Sequence, residues 1–265
     1  MATRAPKTSI LPVPLERAEL LRRFELARET APEGIPKPGL RLFAAEVFST
    51  FSPRPRLSRL FRGRLQLPKA ANPRCVMLLP GFATHPSRMR YFAETLEEAG
   101  HTVKRWGQSY NWGATTEMFA MLEDRLLDLD RRCGGPVVLV GWSLGGLFAR
   151  ELAKKHPGAV AKVITMGTPF SYSPRANHAW RLYQFIAGHR VDKPPVGGDL
   201  AAKPPVETVA LWSSNDGVVH PRAACGKPGE RDRAIALRCG HMGFADSRES
   251  IETVAREIDG EPVGD

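Results

Sequence analysis

Ser143 is the residue whose setting in this chain is most informative about chemistry. It stands in the pattern Gly-x-Ser-x-Gly at residues 141–145. The valine-rich apolar run before it, 136–140, predicts a buried parallel strand, and residues 144–156 have a helical pattern that a Pro-Gly pair ends. The chain must turn sharply between the two, which lifts the serine hydroxyl above the carboxyl edge of a sheet, at the positive end of a helix dipole. We interpret Ser143 as a nucleophile; the alternative is a solvated serine in a glycine-rich turn.

A serine hydroxyl attacks well only when a base removes its proton, and a carboxylate must then orient that base. Among the seven histidines, His241 has the most suitable position, because it follows the predicted strand 233–237 in a Gly-His-x-Gly setting. Asp216 follows the predicted strand 206–212 and precedes a glycine. These positions predict His241 as the base and Asp216 as the acid. The alternatives are a surface histidine in a glycine turn and an ordinary turn aspartate.

The negative oxygen of a tetrahedral intermediate needs two hydrogen-bond donors. We expect the backbone N–H of Leu144, directly after the serine, to be one of them. The backbone N–H of Phe82, in the loop after the predicted strand 75–80, is our candidate for the other. The sequence contains no metal-binding or nucleotide-binding motif, so we predict no metal and no cofactor.

Strand and helix patterns alternate along most of the chain. Right-handed connections between them predict an α/β fold with a mostly parallel central sheet and helices on both faces. Residues 171–205 break the alternation with an aromatic helix, 177–187, and a loop rich in proline and glycine. An insertion of this length at the carboxyl edge predicts a small cap over the site.

Five short segments together resemble the α/β-hydrolase superfamily, and within it bacterial serine esterases and lipases with a short cap. They are 78–82, 141–146, 164–170, 214–219 and 240–243, and the resemblance covers about residues 75–258. It implies that Ser143, Asp216 and His241 form a catalytic triad, in the chain order that this superfamily uses. It also implies that the N–H groups of Phe82 and Leu144 form the oxyanion hole.

We expect residues 67–260 to form the α/β-hydrolase domain, with the cap insertion at about 171–205. Residues 1–66 would form a basic, partly helical N-terminal extension, with helices at 15–30 and 40–51. In the second of these helices we expect the apolar side chains to be buried, namely Leu42, Phe43, Ala45, Val47 and Phe48.

The positive charge is concentrated near the N-terminus. Residues 1–74 hold fifteen Lys or Arg against six Glu, a net of +9 out of +10 for the whole chain. Segment 52–64 places Leu and Phe between arginines, so it would either touch an anionic membrane surface weakly or pack on the main domain. A solvated basic surface explains the charge equally well. We predict no nucleic-acid partner, since the basic residues lack interleaved aromatics and no binding motif is present.

Composition and cysteine usage bear on the compartment. The chain has 265 residues, 42% hydrophobic and 25% charged, which is typical of a globular protein. No apolar run approaches the ~18 residues of a membrane span, and no secretory signal is evident, so we expect a cytoplasmic protein, with peripheral membrane contact as the alternative. Cys225 and Cys239 could meet near the site, but free thiols are expected in a reducing cytoplasm.

The sequence thus predicts a serine hydrolase that cleaves a carboxylic ester through an acyl-enzyme on Ser143. The aromatic cap favours a small-molecule ester with an apolar acyl group. An acyltransferase or a thioesterase would use the same triad, and the sequence does not separate them, because the cap and water exclusion choose the acceptor. A hypothesis of another class is a non-catalytic binding module on the same fold.

Overall fold

The computed structural model describes residues 16–51 and 64–260 of the chain. Its core is a six-stranded sheet in the order β2-β1-β3-β4-β5-β6, in which every neighbouring pair is parallel. The strands are β1 (Cys75–Leu79), β2 (Thr102–Arg105), β3 (Val137–Trp142), β4 (Val160–Met166), β5 (Glu207–Ser213) and β6 (Arg233–Leu237). The α/β fold with a parallel central sheet is therefore confirmed.

Helices lie on both faces of this sheet and bury its central strands on both faces. Within the described residues they are α1 (Arg17–Arg28), α2 (Leu40–Phe51), α3 (Arg90–Ala99), α4 (Thr116–Cys133), α5 (Leu144–Lys155), α6 (Trp180–Ala187), α7 (Pro221–Cys225) and α8 (Arg248–Asp259). Alternate side chains of a strand point to opposite faces. Val138 and Val140 accordingly pack in the core with residues of α3 and α8, whereas Leu139 packs with residues of α4 and α5.

The helix ends follow local sequence rules. Thr115 caps α4 by accepting a hydrogen bond from the N–H of Met118 at 3.1 Å, and Gly134 ends the helix in the left-handed conformation. Ser247 caps α8 in the same way through the N–H of Ser250. The predicted elements are present within a few residues of their expected bounds, and the five-residue helix α7 is an element that the sequence did not predict.

Our expectation for the buried face of α2 is wrong in part. Leu42 and Phe43 are half-buried, but Ala45 is exposed, and Val47 and Phe48 are 44% and 78% exposed. The helix is rotated so that Glu46 points inward, where it is only 6% exposed. Backbone N–H groups meet this carboxylate, which offsets the cost of burying it and makes this rotation favourable.

The N-terminal helix α1 packs on α6, the helix of the predicted cap. Arg23 donates to the carbonyl of Ile186 at 2.6 Å, and Arg22 donates to that of Gly188 at 2.8 Å. These guanidinium groups lie at the C-terminus of α6, where the helix dipole favours positive charge. The rings of Phe24 and Phe185 add an apolar contact at 4.9 Å between centroids.

Arg150 of α5 anchors the other end of the predicted cap insertion. Its guanidinium donates to the carbonyls of Leu200, Ala201 and Ala202, at 3.1 to 3.3 Å. Burial lowers the pKa of Arg150 to about 10, partly offset by nearby carboxylates. The arginine thus remains charged at neutral pH and holds these three carbonyls together.

The basic segment 52–64 lies outside the described residues except for Arg64, so both of its interpretations remain predictions. No helix in the described part of the chain is long and apolar enough to cross a membrane.

A disulfide joins Cys75, at the start of β1, to Cys133, at the end of α4. The two Cα atoms are 6.2 Å apart and the residues are 58 positions apart in the chain. The spacing of the cysteines in the sequence does not predict this bond. Cys225 and Cys239 are free, as expected.

We predict that Cys133→Ala lowers the free energy of unfolding by about 2–4 kcal/mol under non-reducing conditions, because the loop is no longer closed in the unfolded chain. Urea unfolding followed by circular dichroism measures the change. Cys225→Ala, which removes a free thiol, is the control and should unfold as the wild type does. Equal midpoints for Cys133→Ala and wild type, together with four alkylatable thiols in the unreduced protein, would contradict the disulfide.

Candidate active site

Ser143 lies in a tight turn where β3 passes directly into α5. Its backbone angles are φ 54° and ψ −121°, a conformation that a serine rarely adopts. The turn is possible because its neighbours are glycines. A Cβ at Gly141 would collide with the backbone of Gly145, and a Cβ at Gly145 would collide with the carbonyl of Leu79. The N–H of Ser143 donates to the carbonyl of Met166 on β4 at 2.8 Å, which holds the strained residue in place.

Asp216 and His241 form a buried hydrogen-bonded pair. They follow β5 and β6, which are neighbours in the sheet, and they are 2% and 4% exposed. Nδ1 of His241 lies 2.8 Å from Oδ2 of Asp216. The second oxygen, Oδ1, accepts from the N–H groups of Val218 at 2.8 Å and Val219 at 2.7 Å. Because the carboxylate only accepts, we assign the proton to Nδ1, which leaves Nε2 with the lone pair that a base needs.

The pKa of His241 is raised above its ordinary value of 6.5 by its surroundings. Burial pushes the pKa down, but the charge of Asp216, its hydrogen bond and the charge of Glu46 together outweigh burial. A base with a raised pKa is a better proton acceptor, provided that the solution pH is high enough to keep it neutral.

Trp142 connects the histidine to the serine turn. Its indole Nε1 donates to the backbone carbonyl of His241 at 3.1 Å, and the two rings are 5.8 Å apart between centroids. The loop after β1 packs against the same indole, since a Cβ at Gly81 would be 3.2 Å from the Trp142 ring and 3.4 Å from Cβ of Ser143. The structure therefore brings the loops that carry Ser143, His241 and Phe82 together at the carboxyl edge of the sheet.

The two predicted oxyanion donors belong to the serine turn and to the loop after β1. Leu144 begins α5, where the first N–H groups have no partner within the helix. Phe82 precedes Ala83, which has a positive φ of 55° and whose N–H donates to the carbonyl of Asn111 at 2.7 Å. Within the described residues neither Phe82 nor Leu144 uses its N–H in a backbone hydrogen bond outside regular helices and strands, so both remain available to a ligand.

Asn111 is a residue of this site that sequence reasoning missed. It is fully buried, and its side-chain amide donates to the carbonyl of Pro80 at 2.8 Å. It thereby fixes the loop that carries Phe82. Its position in the loop after β2, at the same edge of the sheet, was the only available signal, and many loop asparagines share such a position.

An apolar cavity of about 800 Å³, which includes its open mouth, adjoins Ser143. Its walls come from α5, the loop after β5 and the predicted cap insertion, including Leu147, Phe148, Ala179, Trp180, Tyr183, Val191, Val196, Leu200, Val218 and Val219. Tyr183 is held in one wall of the cavity by its hydroxyl. This hydroxyl accepts a hydrogen bond from the N–H of Ala114 at 3.3 Å and contacts Nε2 of His189 at the same distance. Burial raises the pKa of Tyr183 to about 12, so the phenol remains neutral.

Comparison with known proteins identifies the fold that carries this site. A family model described as the alpha/beta hydrolase fold matches residues 74–193. The chain has the α/β-hydrolase fold. A pimeloyl-(acyl-carrier protein) methyl ester esterase of Nitrosospira multiformis is 30% identical over 117 residues, which are 40% of this chain and 43% of that protein. This chain spans less than half of the length of the curated relatives that it matches.

Solved structures with the α/β-hydrolase fold resemble about three quarters of this chain. A 2-hydroxy-6-oxo-6-phenylhexa-2,4-dienoate hydrolase from Rhodococcus sp. aligns with a TM-score of 0.53 and 16% identity, over 70% of this chain and 90% of that one. A structure from a study of LipS and LipT, two metagenome-derived lipolytic enzymes, aligns with a TM-score of 0.53 and 17% identity, over 76% of this chain and 98% of that one. At such identities the likeness extends to the fold alone.

The raised pKa of His241 predicts the pH dependence of any reaction that it catalyses as a base. The rate constant kcat/KM should rise with pH through an apparent pKa above 6.5, since only neutral His241 accepts a proton. Asp216→Asn removes one cause of the raised pKa, so this acidic limb should move to lower pH while kcat falls by about 10⁴-fold. Asp124→Asn, on an exposed position of α4, is the control. An acidic limb that is identical in wild type and Asp216→Asn would contradict the assignment.

Proposed function

We propose that this protein is a serine hydrolase that cleaves carboxylic esters through an acyl-enzyme on Ser143. The observation that carries the proposal is a strained serine in the lining of an apolar cavity, in a turn that Trp142 links to the buried Asp216–His241 pair. A strained turn and a buried charge both cost free energy, which favours a functional role for them.

In the first half of the reaction, Nε2 of His241 takes the proton of the Ser143 hydroxyl while Oγ attacks the ester carbonyl carbon. The carbonyl electron pair moves to its oxygen, and the N–H groups of Phe82 and Leu144 donate to the resulting oxyanion. As the intermediate collapses, the bond to the alcohol oxygen breaks and imidazolium returns the proton to this leaving group. Asp216 stays ionised and stabilises the imidazolium. Water then repeats these steps on the acyl-enzyme and releases the acid.

The cavity supports an ester with an apolar acyl group. The side chains around Ser143 are mostly aliphatic or aromatic, and burying a CH₂ group among them gains about 0.8 kcal/mol. The methyl ester esterase among the relatives is consistent with ester chemistry on such a scaffold. The proposed reaction uses no metal and no cofactor.

Two alternatives keep the same residues. An acyltransferase would pass the acyl group to an alcohol or amine instead of water, and a thioesterase would release a thiol. Product analysis with an added alcohol separates transfer from hydrolysis. A non-catalytic binding module is less well supported, because binding alone requires neither the strained serine nor the buried Asp–His pair.

We predict that a fluorophosphonate probe labels the wild type and that Ser143→Ala abolishes the labelling, because the probe reacts with an activated serine. Activity on p-nitrophenyl esters should rise with acyl-chain length, by up to about fourfold in kcat/KM for each CH₂ that enters the cavity. In-gel fluorescence and absorbance assays measure the two effects. Ser171→Ala, at another buried serine of the cap region, is the labelling control. Equal labelling of Ser143→Ala, or none of the wild type, contradicts the hydrolase.

Peripheral contact with an anionic membrane is a further proposal. Helix α2 exposes Leu40 and Phe48, and the arginine-rich segment 52–64 follows it directly in the chain. Apolar side chains beside basic ones suit the boundary between headgroups and acyl chains.

The cytoplasmic location also remains a prediction, and the Cys75–Cys133 disulfide weighs against it, because such bonds are typical of oxidising compartments.

We predict that the protein co-sediments with vesicles that contain phosphatidylglycerol at low salt and less so at high salt, since salt screens the attraction. Leu40→Ser combined with Phe48→Ser should weaken this binding. Leu182→Ser, which removes an exposed leucine from α6, should not. Binding that is equal on neutral vesicles, or unchanged in the double variant, would rule out this contact.

A further inference from the structure

We propose that Glu46 is a positioning residue of the active site, which holds the loop of Asp216 and the loop of His241 in register. The proposal rests on the proposed serine-hydrolase function. It assigns a role to a residue of α2, in the part of the chain that the sequence analysis placed in a separate N-terminal extension.

Three backbone N–H groups from the two catalytic loops converge on the carboxylate of Glu46. Oε1 accepts from the N–H of His241 and from that of Gly217, the latter at 3.4 Å. Oε2 accepts from the N–H of Met242 at 3.1 Å. Buried backbone N–H groups need acceptors, and here one side chain from a distant segment satisfies donors of both loops. A shift of either loop would break these bonds.

Glycines on both loops make room for this approach. A Cβ at Gly217 would collide with the backbone carbonyl of Leu42 on α2 and would lie 2.7 Å from Cγ of Glu46. A Cβ at Gly240 would collide with Oε1 of Glu46. The residue directly after Asp216 and the residue directly before His241 are therefore both small where α2 reaches them. This fit is independent of the hydrogen bonds.

The hydrogen-bond pattern requires a carboxylate. Both oxygens of Glu46 act as acceptors, and hydrogen bonds to a charged acceptor are stronger than neutral ones. A glutamine has the same shape but only one acceptor oxygen. Its NH₂ group would face either the N–H of Met242 or the N–H groups of His241 and Gly217, so at least one of these three donors would lose its acceptor.

The charge of Glu46 also acts on the imidazole. Together with Asp216 it raises the pKa of His241 against the effect of burial, and it stabilises the imidazolium that forms during the reaction. The other groups near this loop are less able to do so. The charge of Asp246 is offset by Arg88, which is paired with it at 2.9 Å. Burial raises the pKa of the Cys239 thiol to about 12, so the thiol remains neutral.

Helix α2 is tethered near Glu46, which makes it a suitable support. The ring of Phe43 packs on that of His178 at 4.4 Å between centroids, and Nε2 of His178 contacts the carbonyl of Pro38 at 2.8 Å. His178 belongs to the cap insertion. The same helix thus touches the cap on one side and the two catalytic loops on the other.

The test compares wild type with Glu46→Gln, Glu46→Asp and, as a matched control, Glu25→Gln on an exposed position of α1. For each, the pKa of His241 is measured by NMR titration of ¹⁵N-labelled histidine, and kcat and KM by hydrolysis of a p-nitrophenyl ester across pH. Circular dichroism and thermal unfolding show that each variant is folded.

We expect Glu46→Gln to lower the pKa of His241 and to lower kcat by about 10–100-fold with a much smaller change in KM, since displaced catalytic groups slow the chemistry more than the binding. Glu46→Asp keeps the charge but is one methylene shorter. It should keep the raised pKa of His241 and still lose part of kcat. Glu25→Gln should match the wild type.

A folded Glu46→Gln variant with the kcat and the His241 pKa of the wild type would overturn the proposal. If Glu46→Gln does not fold, Glu46→Asp serves as the test, and a kcat equal to that of the wild type in this variant would overturn the proposal. A wild type that hydrolyses no ester and takes no fluorophosphonate would instead contradict the proposed function. The titration of His241 would still report on Glu46 in that case.

Discussion

The close approach of β3 and α5 at Ser143 is the constraint on which the site depends. Strand and helix can meet there because Gly141 and Gly145 carry no Cβ. Gly146 is needed as well, because a Cβ there would collide with the side chain of Thr168. The serine consequently adopts a positive φ and stands above the sheet instead of within it. The proposed base, acid and oxyanion donors lie in this turn and in the neighbouring loops at the carboxyl edge of the sheet.

The remaining groups are held by buried polar contacts between segments that are distant in the chain. Asp216 uses one oxygen for the imidazole and the other for its own loop, Trp142 joins the histidine loop to the serine turn, and Glu46 joins the acid and histidine loops. In a low-dielectric interior such bonds are strong, and an unpaired group is costly. The arrangement is therefore fixed before any substrate enters, which is what a preorganised site requires.

Much of the fold and the residues proposed for catalysis could be predicted from the sequence because they depend on local signals. Alternating strand and helix patterns gave the sheet, and Ser143, Asp216 and His241 each follow a strand whose carboxyl end is at one edge. Glu46 gave no such signal. Apolar spacing suggested a buried face that included Val47 and Phe48, but the rotation of α2 is set by N–H groups almost two hundred residues away. The Cys75–Cys133 bond likewise depends on tertiary placement.

A crystal structure of the protein after reaction with a fluorophosphonate would test the proposed role of Ser143 most directly. We predict a covalent bond from phosphorus to Oγ of Ser143, with the phosphoryl oxygen accepting hydrogen bonds from the N–H groups of Phe82 and Leu144. Nε2 of His241 should lie within hydrogen-bond distance of Oγ, and the alkyl chain should occupy the apolar cavity. A phosphorus atom bonded to any other residue, or a phosphoryl oxygen directed away from both N–H groups, would contradict it.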